Sequence, residues 1–290
     1  MHNLNFDWDD LRFVLGVAEH GSIRGAANSL AVNRTTVLRR IKRFEHRLNC
    51  ELFERAESGY VLTMEAERLL AAAKDVERTL ADLERKIAGR ELLLEGDIRI
   101  TTTDSLMMST VAPHLATFST KHPHITVEVA LTNQRLNLSR READVAIRPL
   151  DGPPDQLAGK KLSDLEFALY ASPTYLDHTC HLHFEQHRWL GVDEPLNTTP
   201  VANWLRDNAP TSNVSLKAGS FVVLRLAAEH GLGLALLPTR LGDQSANLVR
   251  YGDPIPEVKS QLWILTHSDL SEAARIRAFV EHFADAFKAS

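Results

Sequence analysis

The chain has 290 residues, a formal net charge of −5 and 44% hydrophobic residues, which is typical of a globular protein with more than one domain. Its two cysteines, Cys50 and Cys180, cannot form a disulfide framework, and this favours a reducing compartment such as the cytoplasm. We find no signal peptide and no apolar run of about 18 residues, so we expect neither export nor membrane insertion.

The first fifty residues predict a helix-turn-helix. Apolar periodicity predicts a first helix over Trp8–His20, after which Gly21 stops it. Ser22 is expected to cap a second helix over Ile23–Leu30. Asn33 is expected to cap a third helix that runs to about Leu48. Small residues in the second helix allow the third to approach it closely.

The third helix carries an apolar stripe and a basic face. Between Arg24 and Arg55 there are eight basic residues against three acidic ones, or +5, in a chain whose net charge is −5. Locally concentrated positive charge in an acidic protein indicates a surface for a polyanion. A basic helix face suits the major groove of DNA, although charge alone also fits an ordinary solvated helix. The stripe is Val37, Ile41, Phe44 and Leu48, and the opposite face is Thr35, Arg39, Lys42 and His46.

The helical wheel also divides the expected DNA contacts into two groups, with Arg24 of the second helix as a further contact. Arginine and threonine side chains at the start of the helix are expected to face base edges, whereas cations further along are expected to hold phosphates. The base-reading set is Arg34, Thr35, Thr36 and Arg39, and the phosphate set is Arg40, Lys42, Arg43 and Arg55.

A hairpin and a long helix follow. Residues 52–62 read as the short hairpin of a winged helix, with a turn at Ser58 and Gly59. Thr63 is expected to cap a helix that runs to about Gly89. A heptad seam along that helix predicts pairing with a second copy of the chain, and the alternative is packing on its own domain. The seam residues are Leu69, Ala73, Val76, Leu80, Leu83 and Ile87.

From Gly96 onward the pattern alternates between strands and helices. This order predicts a mostly parallel, doubly wound sheet in two lobes with a ligand cleft between them. The expected strands are residues 97–102, 124–130, 143–148, 166–171, 234–237 and 261–266, and the expected helices are 105–120, 135–141, 222–230 and 272–288.

These features resemble the LysR-type family of bacterial transcriptional regulators over nearly the whole chain. The resemblance implies an α+β protein: a winged helix-turn-helix head at 1–62, a linker and dimerisation helix at 63–90, and a two-lobed, periplasmic-binding-protein-like effector domain. Lobe I would comprise 91–163 and 268–290, and lobe II 164–267. The stretches that carry it are residues 18–27, Leu52–Arg55, Asp144–Arg148 and Gly231–Pro238.

The recognition helix departs from the common family pattern. Where members often carry Ser-Gln-Pro-Ala-Val-Ser-Arg, this chain has Asn-Arg-Thr-Thr-Val-Leu-Arg over Asn33–Arg39. The final arginine is retained, so the fold is expected to be the same while the DNA half-site differs.

The resemblance also implies where an effector binds. The expected contacts are the loop after the first strand, the end of the Asp144–Arg148 strand and a helix start in lobe II. Hydroxyls and free N–H groups at a helix start suit an anion, and Arg148 could clamp a carboxylate. Asp104 could instead reject anions, bind an amine or cap the helix. We therefore expect a small carboxylate-bearing or aromatic metabolite at Thr102, Thr103, Asp104, Ser105, Arg148, Ser220 and Phe221.

Other functions fit less well. The chain has no nucleophile elbow, no glycine-rich phosphate loop and no His-Glu-x-x-His motif, so we expect neither an enzyme nor a cofactor. Cys180, His181, His183 and His187 lack a second ligand pair, so we expect no zinc site. The main alternative, an exported solute-binding protein, would leave the basic head without a role. The preferred interpretation is a cytoplasmic regulator of double-stranded DNA that forms a homodimer or homotetramer.

Overall fold

The computed structural model describes residues 8–56, 59–87, 93–134, 143–153, 157–268 and 270–288. The chain divides into two compact units, Met1–Arg90 and Glu91–Ser290. In the described ranges, no helix is both long and apolar enough to cross a membrane.

Three helices form the head, and the helix-turn-helix prediction is confirmed. The Ser22 hydroxyl accepts the Gly25 N–H at 3.0 Å, as expected of an N-cap. Asn33 occupies the N-cap position of the third helix as predicted, but its side chain makes no capping hydrogen bond. Its carbonyl instead accepts the N–H groups of Thr36 and Val37 while its side chain lies exposed. The helices are α1 (Trp8–His20), α2 (Ile23–Ser29) and α3 (Arg34–Leu48).

The predicted hairpin is also present. Strands β1 (Phe53–Ala56) and β2 (Gly59–Leu62) pair antiparallel. The Tyr60 N–H donates to the Gly21 carbonyl at 3.1 Å, which holds the hairpin against the turn between α1 and α2. Gly59 has a φ of +126°, and a Cβ there would lie 2.5 Å from the Gly21 oxygen, so this contact requires glycine.

Helix α4 (Met64–Ile87) packs partly on the head. The Thr63 hydroxyl accepts the Ala66 N–H at 3.2 Å and so caps the helix as expected. Ala73 is buried and Leu69 packs against the head core, so the first turns of the heptad seam are covered by their own domain. Further along, Val76 and Leu80 are 43% and 37% exposed. The side chains of Leu83 and Ile87 lie outside the described residues, as does Gly89.

Lobe I of the second unit begins with three parallel strands, as predicted. Between the first and second of these strands, the chain forms one continuous helical run over residues 104–121, which contains a π-helical turn in its middle. The predicted helix at 135–141 lies outside the described residues. The elements are β3 (Gly96–Thr102), α5 (Asp104–Leu106), the π turn (Met107–Val111), α6 (Ala112–Lys121), β4 (Ile125–Leu131) and β5 (Val145–Leu150).

Two long strands cross between the lobes, and they make the sheet mixed rather than mostly parallel. Strand β6 (Leu157–Ala171) pairs antiparallel with β11 (Lys259–His267) along its first part and with β9 (Leu234–Pro238) along its second. Strand β11 also pairs antiparallel with β5, so it belongs to the sheet of lobe I. The predicted division placed 164–267 in lobe II, whereas β11 pairs with β5 of lobe I on one side and with β6 on the other.

Lobe II contains several elements that periodicity did not predict. Strands β9, β7 (Trp189–Val192) and β8 (Val214–Ala218) pair parallel, and β10 (Val249–Arg250) pairs with β6. The terminal helix α11 (Ala274–Lys288) returns to pack on lobe I. The remaining elements are α7 (Pro173–Thr179), β7 (Trp189–Val192), α8 (Pro200–Asn208), β8 (Val214–Ala218), α9 (Phe221–Glu229), α10 (Thr239–Gly242), β10 (Val249–Arg250) and α11 (Ala274–Lys288).

Candidate DNA and effector sites

The outer face of α3 presents cations that have no acidic partner among the residues that the structure describes. Val37, Ile41 and Phe44 turn inward and are buried, so the opposite face is left to solvent. Thr35 is exposed on this face and Thr36 is half-buried. Within the described ranges, the exposed cations of α2 and α3 make no ion pair; they are Arg24, Arg34, Arg39, Lys42 and Arg43.

Arg40, a predicted phosphate contact, differs from these cations because it forms ion pairs within the head. Its Nη2 lies 3.0 Å from Asp9 Oδ2 and its Nη1 lies 3.2 Å from Asp10 Oδ1. The guanidinium also lies 5.5 Å from the centroid of the Phe13 ring. Arg47 pairs with the same Asp10, whose side chain is fully buried. A buried carboxylate requires such partners, so Arg40 joins α3 to α1 rather than facing outward.

Arg55 lies in β1, opposite Tyr60 of β2. Its side chain lies outside the described residues, so its predicted phosphate contact stays a prediction.

In the second unit, hydroxyl groups of the loop after β3 form hydrogen bonds within that loop. The Thr103 hydroxyl accepts the Leu106 N–H at 3.2 Å, so Thr103 caps the helical run in place of Asp104. Its oxygen lies 3.2 Å from that of Ser105. Thr102 is fully buried, and its hydroxyl finds no hydrogen-bond partner in the described part of the chain. All four residues predicted here are therefore consecutive, and three of them, Thr103, Asp104 and Ser105, are linked by hydrogen bonds to one another.

Asp104 connects the two lobes. Its Oδ1 accepts the Ser105 N–H at 2.6 Å, and its Oδ2 accepts the Ser220 hydroxyl at 2.5 Å. The Asn133 side chain forms a second link: its oxygen accepts the Asp104 N–H at 3.3 Å and its nitrogen donates to the Gly219 carbonyl at 3.2 Å. The loop after β3 is thereby joined to the loop before α9.

Arg148, the predicted carboxylate clamp, is buried and bonds to the protein through both terminal nitrogens, while its Nε has no hydrogen-bond partner among the described residues. Only 6% of the residue is exposed. Its Nη2 donates to Thr101 Oγ1 at 2.6 Å and its Nη1 donates to the Thr132 carbonyl. Burial lowers the pKa of its guanidinium to about 10. Both terminal nitrogens are therefore used to join the ends of β3, β4 and β5.

The two predicted residues of lobe II have structural partners as well. The Ser220 hydroxyl accepts the Val223 N–H at 3.2 Å and so caps α9. Phe221 is 8% exposed, and its ring centroid lies 6.0 Å from that of Phe167. Phe221 therefore belongs to the core of lobe II, where we had expected it to offer an apolar face to a ligand.

An open pocket of about 360 Å³ lies between the lobes. Its volume is within the range of small-molecule sites. Its lining residues were missed by the sequence analysis, although Gln134 closely follows a parallel strand, at the edge of the sheet where ligands of α/β folds bind. The lining consists of Gln134 from lobe I and Glu194, Pro195, Asn197 and Thr198 from lobe II.

The cysteine and histidines near residue 180 do not converge. His187 is buried and its Nδ1 lies 3.3 Å from the Tyr175 hydroxyl, while burial lowers its pKa. His181 and His183 are exposed. Over the described ranges, no group of three or more potential metal ligands is present.

Comparison with known proteins gives two family matches that together cover most of the chain. The family described as bacterial regulatory helix-turn-helix protein, lysR family, matches residues 8–67, and the LysR substrate binding domain matches residues 93–288.

Individual relatives match along their full length. The HTH-type transcriptional regulator CrgA of Neisseria meningitidis serogroup C is 28% identical, over 94% of each chain. The Mau operon transcriptional activator of Paracoccus denitrificans is 24% identical, over 97% of this chain and 96% of its own. The solved structure of CrgA from Neisseria meningitidis superposes with a TM-score of 0.56 at 25% identity, covering 97% and 99% of the two chains.

Proposed function

The chain belongs to the LysR-type family of bacterial transcriptional regulators, in which a helix-turn-helix binds DNA and a second domain binds a small effector, and we propose that α3 reads the operator. The observation that carries this proposal is the contrast within one helix. Arg40 and Arg47 are bonded to α1, whereas the cations on the outer face have no acidic partner among the described residues. Unpaired cations are free to neutralise phosphates and donate to bases.

The contacts divide between bases and phosphates. Arg39 can donate two parallel hydrogen bonds to a guanine edge, and Arg34, Thr35 and Thr36 lie one turn earlier on the same end of α3. Phosphate contacts come from Arg24, Lys42, Arg43 and Arg55, and Arg40 is removed from this set.

We further propose that α4 pairs two chains. Val76 and Leu80 lie four residues apart, about one helical turn, on the part of α4 that the head core leaves exposed. Apolar residues at this spacing favour burial against a second helix. Pairing would present two heads to two DNA half-sites, and contacts between effector domains would extend a dimer to a tetramer.

The effector is proposed to bind in the pocket beside Gln134 and Glu194. A ligand there touches both lobes, so it can favour one arrangement of the lobes over another by its difference in affinity. The expectation of a carboxylate effector loses its main support, because Arg148 is already bonded to Thr101 and Thr132.

A regulator that acts on chromosomal DNA works in the bacterial cytoplasm, and we propose that location. The proposed role is binding and switching, without catalysis. An exported solute-binding protein would have no use for the unpaired cations of α3.

Site selection with the full-length protein tests the proposal. Wild type is expected to enrich sequences with two half-sites, separated by multiples of about 10 base pairs, from a random duplex pool. The Arg34→Ala, Arg39→Ala double variant should lose that enrichment. An Arg206→Ala control, which removes an exposed arginine of α8, should retain it. Failure of the wild type to bind any duplex at low salt would overturn the proposal.

A further inference from the structure

The cleft between the lobes contains an anion that belongs to the chain itself. This inference rests on the proposed effector function of that cleft. The helical run over 104–121 and helix α9 both begin here, and N-terminal N–H groups attract negative charge. The carboxylate of Asp104 lies between these two starts, bonded to the Ser105 N–H at 2.6 Å and to the Ser220 hydroxyl at 2.5 Å.

The donors at the start of the lobe I run are all taken. The Asp104 N–H donates to the Asn133 side chain and the Ser105 N–H to the Asp104 carboxylate. The Leu106 N–H donates to the Thr103 hydroxyl, and the Met107 N–H to the Thr103 carbonyl. The first three of these N–H groups are among those that a helix start leaves without an intrahelical partner, whereas the Met107 N–H makes the first bond within the run. At this helix start, an incoming carboxylate would therefore find no free N–H group among Asp104, Ser105 and Leu106, and it would face the negative charge of Asp104.

We infer that Asp104 occupies the anion site between the lobes in place of a ligand, and that it is a specificity-determining residue that joins the lobes and excludes carboxylate effectors. The Asp104 carboxylate accepts hydrogen bonds from a lobe I amide and from a lobe II hydroxyl. A single side chain therefore fills the anion site and connects the two lobes.

The neighbouring pocket between the lobes is also lined by an acidic residue, Glu194. Gly219, which accepts from Asn133, packs against Glu194: a Cβ on Gly219 would lie 1.9 Å from the Glu194 carbonyl oxygen. The pocket that Glu194 lines is therefore adjacent to the link formed by Asp104 and Asn133. Its other polar groups are the amides of Gln134 and Asn197 and the Thr198 hydroxyl. The amides and the hydroxyl can donate or accept, whereas the Glu194 carboxylate only accepts, so this lining suits an uncharged or amine-bearing effector that donates to Glu194.

Chemical rescue of full-length Asp104→Ala tests the inference. The variant should unfold about 4–10 °C below wild type, because it loses charge-assisted hydrogen bonds. Trp189, Trp204 and Trp263 lie in the second unit and report its unfolding. Acetate should reverse at least half of the decrease in unfolding temperature, and this effect should saturate with acetate concentration. Neutral acetamide should have no such effect.

Two further variants serve as controls. Asp285→Ala removes an exposed carboxylate of α11 and should respond to acetate only as wild type does. Asp104→Asn keeps an acceptor oxygen and fills the space, so its unfolding temperature should fall less and acetate should not restore it. Asp104→Asn also provides the test if Asp104→Ala does not fold.

Two results would overturn the inference: an Asp104→Asn variant as stable as wild type, or equal stabilisation of wild type and Asp104→Ala by acetate. Because the assay contains no DNA, either result would leave the site-selection test of the proposed function unaffected.

Discussion

The outer face of α3 and the cleft of the second unit are both rich in polar side chains, but they differ in what those side chains bind. On α3, Arg39 and Lys42 project from a helix whose opposite face is buried, and neither makes an ion pair with a described residue. In the cleft, Arg148 and Asp104 bond to the protein itself. A DNA-binding surface needs charged side chains that are not already paired within the protein. The polar side chains of the cleft, in contrast, form hydrogen bonds that join the two lobes.

The head also contains both bonded and unpaired cations, and loss of its buried ion pairs is predicted to have the largest effect on stability. Asp10 is buried and pairs with Arg40 and Arg47, so Asp10→Ala leaves two arginines without this carboxylate. We expect a loss of about 3–5 kcal/mol in the unfolding free energy of the head. Urea denaturation followed by circular dichroism measures it.

Asp9→Ala is the matched control for Asp10→Ala. Asp9 is 44% exposed, and it pairs with Arg12 and Arg40 at the surface. Its removal should lower the unfolding free energy of the head by about 0–1 kcal/mol. Equal losses in the two variants would show that burial does not distinguish them.

Arg148 provides the corresponding prediction for the cleft. Arg148→Ala leaves the Thr101 hydroxyl and the Thr132 carbonyl without their donor, and we expect a loss of about 2–4 kcal/mol in the unfolding free energy of the second unit. Lys161→Ala, at an exposed pair, should change it by less than about 1 kcal/mol. An unchanged stability of Arg148→Ala would favour a free, ligand-binding arginine.

The proposed pairing of α4 is tested by placing charge on its exposed apolar residues. Val76→Asp with Leu80→Asp should raise the dissociation constant of the dimer at least about tenfold, or ~1.4 kcal/mol, because a buried unpaired charge is costly. Sedimentation at several concentrations measures it. Lys74→Asp, at an exposed position on the same helix, is the control. A double variant that retains its native mass would exclude this contact.

The smallest predicted effect is on the salt dependence of DNA binding. Lys42→Ala should weaken binding to all sequences alike and reduce the slope of log K against log salt by about 0.9. Fluorescence anisotropy between 50 and 200 mM salt, in the range where about 10³-fold changes are common, resolves this difference. A change in sequence preference instead would assign Lys42 to the bases.

Local signals predicted local structure well. Gly21 and Ser22 mark the boundary between α1 and α2, the Ser58-Gly59 turn signal predicted the hairpin, and β4 was placed by its alternation. Strand β7 was missed because Trp189–Val192 is four residues long and nearly all buried, so it shows no alternation. A short buried strand cannot be recognised from periodicity alone.

The cleft was predicted less well because its contacts join distant positions. Arg148 bonds to residues 16 and 47 positions away, and Asp104 bonds to one 116 positions away. Arg40 likewise finds Asp10 across 30 residues. A helical wheel shows which way a side chain points, but not whether a carboxylate from another element meets it.

A paired comparison of Arg39→Ala and Arg40→Ala tests the central claim most directly. Operator affinity and head stability are measured for both variants, using the sequence selected by wild type. We predict that Arg39→Ala loses about 1–3 kcal/mol of operator affinity with unchanged head stability. Arg40→Ala should instead lower head stability and keep the selected base preference. Unchanged operator affinity in Arg39→Ala, with loss of base preference in Arg40→Ala, would contradict the account.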